Sequence, residues 1–258
     1  VERVWSTGSA SCRGGERRGA VPAAAGRRAP VAPRAAAEGA AGGGGGEVDT
    51  GALVSYVGAT SLQFGALTAT LCGLDYLNHA VLEGISPLAP KAVVGLFYLF
   101  LAFRSRVFSP LDNSRPTAAS EKTAIQERKR PSWMPPPLTF PIVWSTIGVL
   151  RSVSSVMVWE ASGRSLLVAP LCMMLLHLSI GDTWNTINNI EKRMGTASIA
   201  VLFVLASACA TDYLYFGAAK AAGLTLLPLC IWLSVATCLV WSIWDLNGRD
   251  SFLPRKDN

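Results

Sequence analysis

Charge is the scarcest property of this 258-residue chain: Asp, Glu, Lys and Arg make up 16% of it, and half is hydrophobic. Soluble domains carry roughly 25% charged residues, so the composition argues against an ordinary soluble enzyme. Histidine is confined to His79 and His177. The cysteines are Cys12, Cys72, Cys172, Cys209, Cys230 and Cys238, and none forms a C-x-x-C pair. All but Cys12 fall in apolar runs, where a thiol packs as a small apolar side chain; neither a disulfide framework nor a zinc site is expected. No nucleophile elbow, phosphate-binding loop or metal-ligand spacing is present. Catalytic residues and metal ligands are therefore not expected. The formal charge is +6, but its basic residues lie at the front and between apolar runs. A nucleic-acid face needs them clustered on one folded surface.

Acids are also sparse at the start. Before the Gly42–Gly46 run there are seven Arg but only Glu2, Glu16 and Glu38. Residues 1–46 hold no apolar stretch long enough for a secretory signal. Arg-rich, acid-poor composition suits an organelle transit peptide, the plainer reading being a disordered basic tail. The Ala-rich stretch Val31–Ala37 leans towards a chloroplast, with a mitochondrion as the alternative.

Six apolar runs follow, near 51–73, 89–108, 138–159, 165–187, 196–217 and 221–244. Crossing the hydrocarbon core takes about 20 helical residues. The 89–108 run is the weakest, with an uninterrupted core of only Ala92–Phe103. The first run carries Ser61, Gly65, Ala69 and Gly73, a small-residue stripe that lets another helix approach closely. If all six runs span, both ends share one side with the 109–137 and 188–195 loops. From Arg104 onwards that side holds Arg104, Arg106, Arg115, Lys122, Arg128, Lys129, Arg130, Lys192, Arg193, Arg249, Arg255 and Lys256; the other holds Lys91, Arg164 and Lys220. The positive-inside rule makes the richer side cytosolic or, in a plastid, stromal.

Ionisable residues inside the runs are Arg151, near the middle of the third, and Asp182, towards the basic end of the fourth, with His177 five residues earlier. A central Arg costs about 2.5–3.5 kcal/mol on insertion scales, so it should face the bundle or a polar cavity. Counting back from the loop near Glu160–Arg164 sets Arg151 level with residue 174. Asp182 is then about 12 Å away along the axis, at roughly 1.5 Å per residue, and His177 is nearer. The plainer reading is structural: Arg151 caps carbonyls and His177 makes one interhelical hydrogen bond.

Pro131–Trp144 reads PSWMPPPLTFPIVW, and Leu226–Asn247 reads LLPLCIWLSVATCLVWSIWDLN. Together these resemble the tryptophan-rich sensory protein family, also called TspO/MBR or translocator protein. The matching positions are Pro131, Ser132, Trp133, Pro135, Pro136, Phe140, Val143, Trp144, Trp184, Pro228, Trp232, Ala236, Thr237, Leu239, Trp241, Ile243, Trp244, Leu246 and Asn247. The resemblance implies an all-α membrane protein: a five-transmembrane-helix bundle over 89–247, with an extra N-terminal helix and loop over 47–88 and a basic tail over 248–258. It also implies a frequently dimeric protein whose pocket takes tetrapyrroles or sterol-like ligands, with no obligatory cofactor and a porphyrin or haem as ligand.

Trp133, Trp144, Trp184, Trp241 and Trp244 all fall towards the basic membrane face. Aromatic planes can wall a flat macrocycle while a cation meets its propionates. An interfacial Trp belt would place them similarly but facing lipid. The candidate ligand-binding set is Trp133, Phe140, Trp144, Arg151, His177, Asp182, Trp184, Trp241 and Trp244. The family pattern is broken at Pro137 (a Gly in the family), Leu138 (a Trp), Gly148 (a Tyr), Gly181 (an Asn), Val240 (an Asn) and Asp245 (an Arg), which removes an aromatic wall and several hydrogen-bonding groups. Three functions compete: a membrane tetrapyrrole sensor, carrier or regulator in a chloroplast envelope or thylakoid; an enzyme acting on a membrane-soluble substrate, such as a porphyrin, with Arg151, His177 and Asp182 as an acid/base set; and an assembly partner that kept the fold, docking through the 51–73 helix as a homodimer or in a complex. Membrane lipids are the remaining expected contacts.

Overall fold

The computed structural model describes residues 46–86, 88–111 and 128–256. Most of the expected transit segment, residues 1–45, lies outside them. Six long helices carry the fold: α1 (Thr50–Leu77), α2 (Ala89–Arg104), α3 (Thr139–Ala161), α4 (Ala169–Asn185), α5 (Met194–Ala218) and α6 (Lys220–Leu246). Each corresponds to one apolar run. Among the described residues, no strand forms beyond an isolated antiparallel bridge between Val48 and Arg255.

Local chemistry sets the ends. Asp49 caps α1, its Oδ1 accepting the Ala52 N–H at 2.9 Å. That bond holds the Asp49 carboxyl below its ordinary range, so the cap is charged at neutral pH and is lost only in acid. Pro90 and Pro170 sit in the first turns of α2 and α4, where a missing N–H costs nothing. Helices α1, α3, α5 and α6 are long and apolar enough to cross a membrane, α1 with its continuation to Leu82. The α-helical part of α4 has 17 residues, shorter than the 165–187 run suggests. Val168 is extended before Pro170, and a π-helical turn takes over at Thr186–Ile190. Helix α2 has 16 residues and runs into a 3-10 turn at Ser105–Phe108.

The helices neighbour one another in the order α1, α4, α5, α6, α3, α2, and α3 also reaches α4 and α5. Helix α1 meets the 3-10 turn that follows α2, so the extra helix closes the side of the bundle between α4 and α2. It buries Tyr56, Ala59, Gln63, Leu67 and Leu71, one face at helical spacing. Ser61, Gly65, Ala69 and Gly73 are exposed, and a Cβ on Gly65 or Gly73 would meet nothing within 4 Å. No described helix of this chain lies on that stripe.

Both ends of the described residues meet on the basic side. The Asp49 N–H donates to the Pro254 carbonyl at 2.7 Å, and the Lys256 N–H to the Glu47 carbonyl at 3.0 Å. Arg193 pairs with Asp49 at 3.3 Å, and the Tyr56 hydroxyl donates to the Glu191 carboxylate. Lys91 and Glu160 pair at the opposite end at 2.8 Å. There the Leu166 N–H donates to Asp75 at 2.7 Å. Residues 248–256 form a strap across the basic end. Gly248 opens it at φ 98°, a conformation that favours glycine. Phe252 stacks on Trp244 at 4.6 Å between ring centres, and the Trp244 Nε1–H donates to the Asp250 carbonyl at 2.9 Å. The strap passes so close to α5 that a Cβ on Gly195 would lie 2.3 Å from the Ser251 carbonyl oxygen. Gly195→Ala is therefore expected to lift the strap and destabilise the protein by about 1–3 kcal/mol. Thermal unfolding in nanodiscs checks the stability, and loss of protection of residues 248–256 from proteolysis checks the strap.

Candidate functional site

A cavity of about 720 Å³ opens in the basic half of the bundle, lined by α2 to α6 and their loops. This lies within the roughly 300–1,000 Å³ common for small-molecule sites. Phe140, Trp144, Trp184 and Trp232 supply aromatic wall, with Phe140 and Trp232 edge to face at 5.8 Å. The α6 contribution follows helical spacing: Trp232, Leu233, Ala236, Leu239, Val240 and Ile243. Arg128, Asn188 and Asn189 border the cavity at the loops. Arg151 and His177 border it deep in the bundle, 8% and 1% exposed.

These two begin a directed chain. Arg151 Nη2 is 3.2 Å from His177 Nε2, and His177 Nδ1 is 3.0 Å from Ser207 Oγ. A guanidinium has no acceptor, so Arg151 donates and Nε2 accepts. The ring is then the neutral Nδ1–H form, donating to Ser207, whose hydroxyl donates to the Val204 carbonyl at 2.9 Å. Both ring nitrogens of His177 are thus committed. Arg151 also stands over the Trp144 ring at 5.7 Å, a cation–π contact.

Asp182 belongs to a second cluster. Gln63 Nε2, on α1 and wholly buried, donates to Asp182 Oδ2 at 2.7 Å and to the Ser105 carbonyl at 3.0 Å. One amide thereby joins α1, α4 and the turn after α2. Arg106 and Arg151 are near enough to act on the Asp182 charge. Above this cluster Thr60 and Thr183 share a 2.8 Å hydroxyl bond.

Of the candidate residues, Phe140, Trp144, Arg151, His177, Asp182 and Trp184 line the cavity. Trp133, Trp241 and Trp244 do not. Trp133 is 49% exposed in the proline-rich loop. Trp241 donates to the Ser198 carbonyl at 2.8 Å, and it and Trp244 pack against Phe252 of the strap. Their shared membrane level is not a shared direction. As expected, His177 rather than Asp182 is the near partner of Arg151. Trp232, Phe103, Arg106 and Gln63 stand outside the candidate ligand-binding set; the α6 stripe at positions 232, 236, 239 and 243 would have added Trp232 to it. Gly148 lacks the family's tyrosine, yet a Cβ there would lie 3.0 Å from Phe103 Cζ. Phe103, also on the cavity, takes up that space. Gly181 borders the cavity, and a Cβ there would meet nothing within 4 Å.

The model of the TspO/MBR family matches residues 96–245, which span α2 to α6 and the whole cavity. The chain belongs to the TspO/MBR family. Relatives include Protein CrtK of Rhodobacter capsulatus, 32% identical over 120 residues, covering 46% of this chain and 75% of the relative. Translocator protein of Homo sapiens is 29% identical over 121 residues, 46% of this chain and 72% of its own length. Tryptophan-rich sensory protein of Cereibacter sphaeroides is 28% identical over 118 residues, 46% and 73%. The fold is accordingly that of an all-α integral membrane protein of this family. Helix α1 precedes the family match, so Gln63 reaches the cavity's acid from outside it.

The Gln63–Asp182 bond is buried. Single Ala substitutions at either position, combined in a double-mutant cycle, should show a coupling of about 0.5–1.5 kcal/mol. Thermal unfolding in nanodiscs checks it, and additivity would mean that α1 is not held through this amide.

Proposed function

We propose that this chain binds a tetrapyrrole, a porphyrin, haem or chlorophyll precursor, in its membrane and acts as a sensor, carrier or regulator of tetrapyrrole and stress metabolism. The observation that carries this is the aromatic-walled cavity with a guanidinium at its deep end. Flat rings stack on Phe140, Trp144, Trp184 and Trp232, and burial of a macrocycle on such faces supplies the binding energy. The relatives' names, tryptophan-rich sensory protein and translocator protein, fit a protein that handles a ligand. Binding is favoured over catalysis because His177 has both nitrogens engaged and Arg151 is a poor proton donor. The open cavity favours ligand binding over a scaffold that kept the fold and closed its pocket. The Arg-rich, acid-poor leader supports an organelle membrane, a chloroplast envelope or thylakoid before a mitochondrial one. The exposed stripe on α1 supports a homodimer or a membrane-complex partner.

Protoporphyrin IX titrated into the protein in nanodiscs is expected to quench Trp fluorescence saturably. Trp144→Ala and Trp232→Ala should each weaken binding about tenfold, the equivalent of about 1.4 kcal/mol. Trp133→Ala should leave the affinity unchanged. Absence of saturable quenching would overturn the proposal.

A further inference from the structure

Arg151 is 8% exposed, lies mid-helix in α3 and borders the cavity. Its hydrogen-bonded side-chain partner, His177, is neutral in the geometry described above. Its Nε is buried with no partner. No carboxylate among the described residues is close enough to form an ion pair with it; Asp182 is turned to Gln63. The Trp144 face, 5.7 Å away, is a further electrostatic contact, and Asp182 acts on the guanidinium only from beyond ion-pair distance. A guanidinium taken out of water without a counter-charge is costly, and in a membrane the cost is met by partners facing a cavity or the bundle interior. The chain from His177 through Ser207 to the Val204 carbonyl fixes the orientation of the guanidinium but brings it no negative charge.

We propose that the missing charge is supplied by the ligand: Arg151 anchors a carboxylate carried by a flat apolar body, which enters the cavity acid first. The carboxylate takes the guanidinium donors that His177 leaves free, while the ring system lies between Trp144 and Trp232 nearer the basic face. A charge-assisted bond to a fork of donors in this dry setting is stronger than one made in water. The site therefore selects the free acid of its ligand over the uncharged ester. Arg106 and Arg128 also border the cavity but lie nearer the loops, on the side from which the ligand enters, so substitution at Arg151 decides which cation takes the carboxylate. This inference rests on the tetrapyrrole reading, and the two fail in different ways.

The test compares protoporphyrin IX with its dimethyl ester, each titrated into the full chain in nanodiscs of zwitterionic lipid. The unchanged protein is expected to bind the acid at least about tenfold more tightly than the ester. Arg151→Met should bring the ratio of acid to ester affinity down to about one, with an unchanged helical circular dichroism spectrum showing that the variant is folded. Arg151→Lys should keep part of the preference, as a point charge without the planar fork. Equal affinity for acid and ester in the unchanged protein overturns the anchor while the tetrapyrrole reading stands. So does an acid preference that survives in Arg151→Met, which would place recognition at the mouth. Failure of both compounds to bind overturns the tetrapyrrole reading and the anchor with it.

Discussion

A guanidinium halfway along a membrane helix has to be housed, and much of the bundle's interior is arranged around that constraint. Arg151 donates to a neutral histidine from α4 and stands over the face of Trp144 from its own helix. The histidine is in turn fixed by a serine from α5. Three helices are thus brought into register by one side chain that lipid would reject. The space left in front of it is the cavity. The apolar cluster of Leu67, Leu71, Tyr98, Trp159 and Leu175 closes the rest of the interior, so polar access is confined to the basic half. Packing and polarity divide the bundle along the membrane normal: a sealed half of large apolar side chains, and an open half of aromatic planes and cations.

The second organising contact is the Gln63 amide. Membrane helices gain little from hydrophobic association, because lipid is as apolar as they are. A helix added to an existing bundle needs polar contacts or close packing to stay on it. Helix α1 uses polar ones: Tyr56 to Glu191, Thr60 to Thr183, Gln63 to Asp182, and Asp75 to the Leu166 amide. They run down its inner face from end to end, with Leu67 and Leu71 between them. Asp182, an acid inside a membrane helix, is tolerable because this helix brings it a donor.

The six apolar runs and the nearness of His177 to Arg151 were both legible in the sequence, because each depends on hydropathy or on rise per residue. Direction was harder to read. Trp241 and Trp244 lie at the expected depth, but they turn to Phe252, and that contact depends on a glycine-hinged strap with no hydropathy signal. The stripe of Ser61, Gly65, Ala69 and Gly73 marks a face open to another helix, and it did not tell which face meets the bundle: α1 packs through Tyr56, Gln63, Leu67 and Leu71. A polar glutamine on an apolar helix was the better signal, since it has to find a partner. The loss of the family's tyrosine at Gly148 looked like a lost wall. Phe103, one helix away, takes up the space, and no pattern within either helix could have told of it.

The clasp between the two ends has a consequence for how the molecule is made. Helix α1 stands near the front of the described residues, yet the backbone partners of its entry, Pro254 and Lys256, come about two hundred residues later. Until they are in place α1 is held through side-chain contacts such as those of Tyr56, Thr60, Gln63 and Asp75. Whatever the order in which the helices enter the membrane, closure of this entry waits for the last described residues, and a chain cut near residue 248 would keep α1 docked along its length but open at its start.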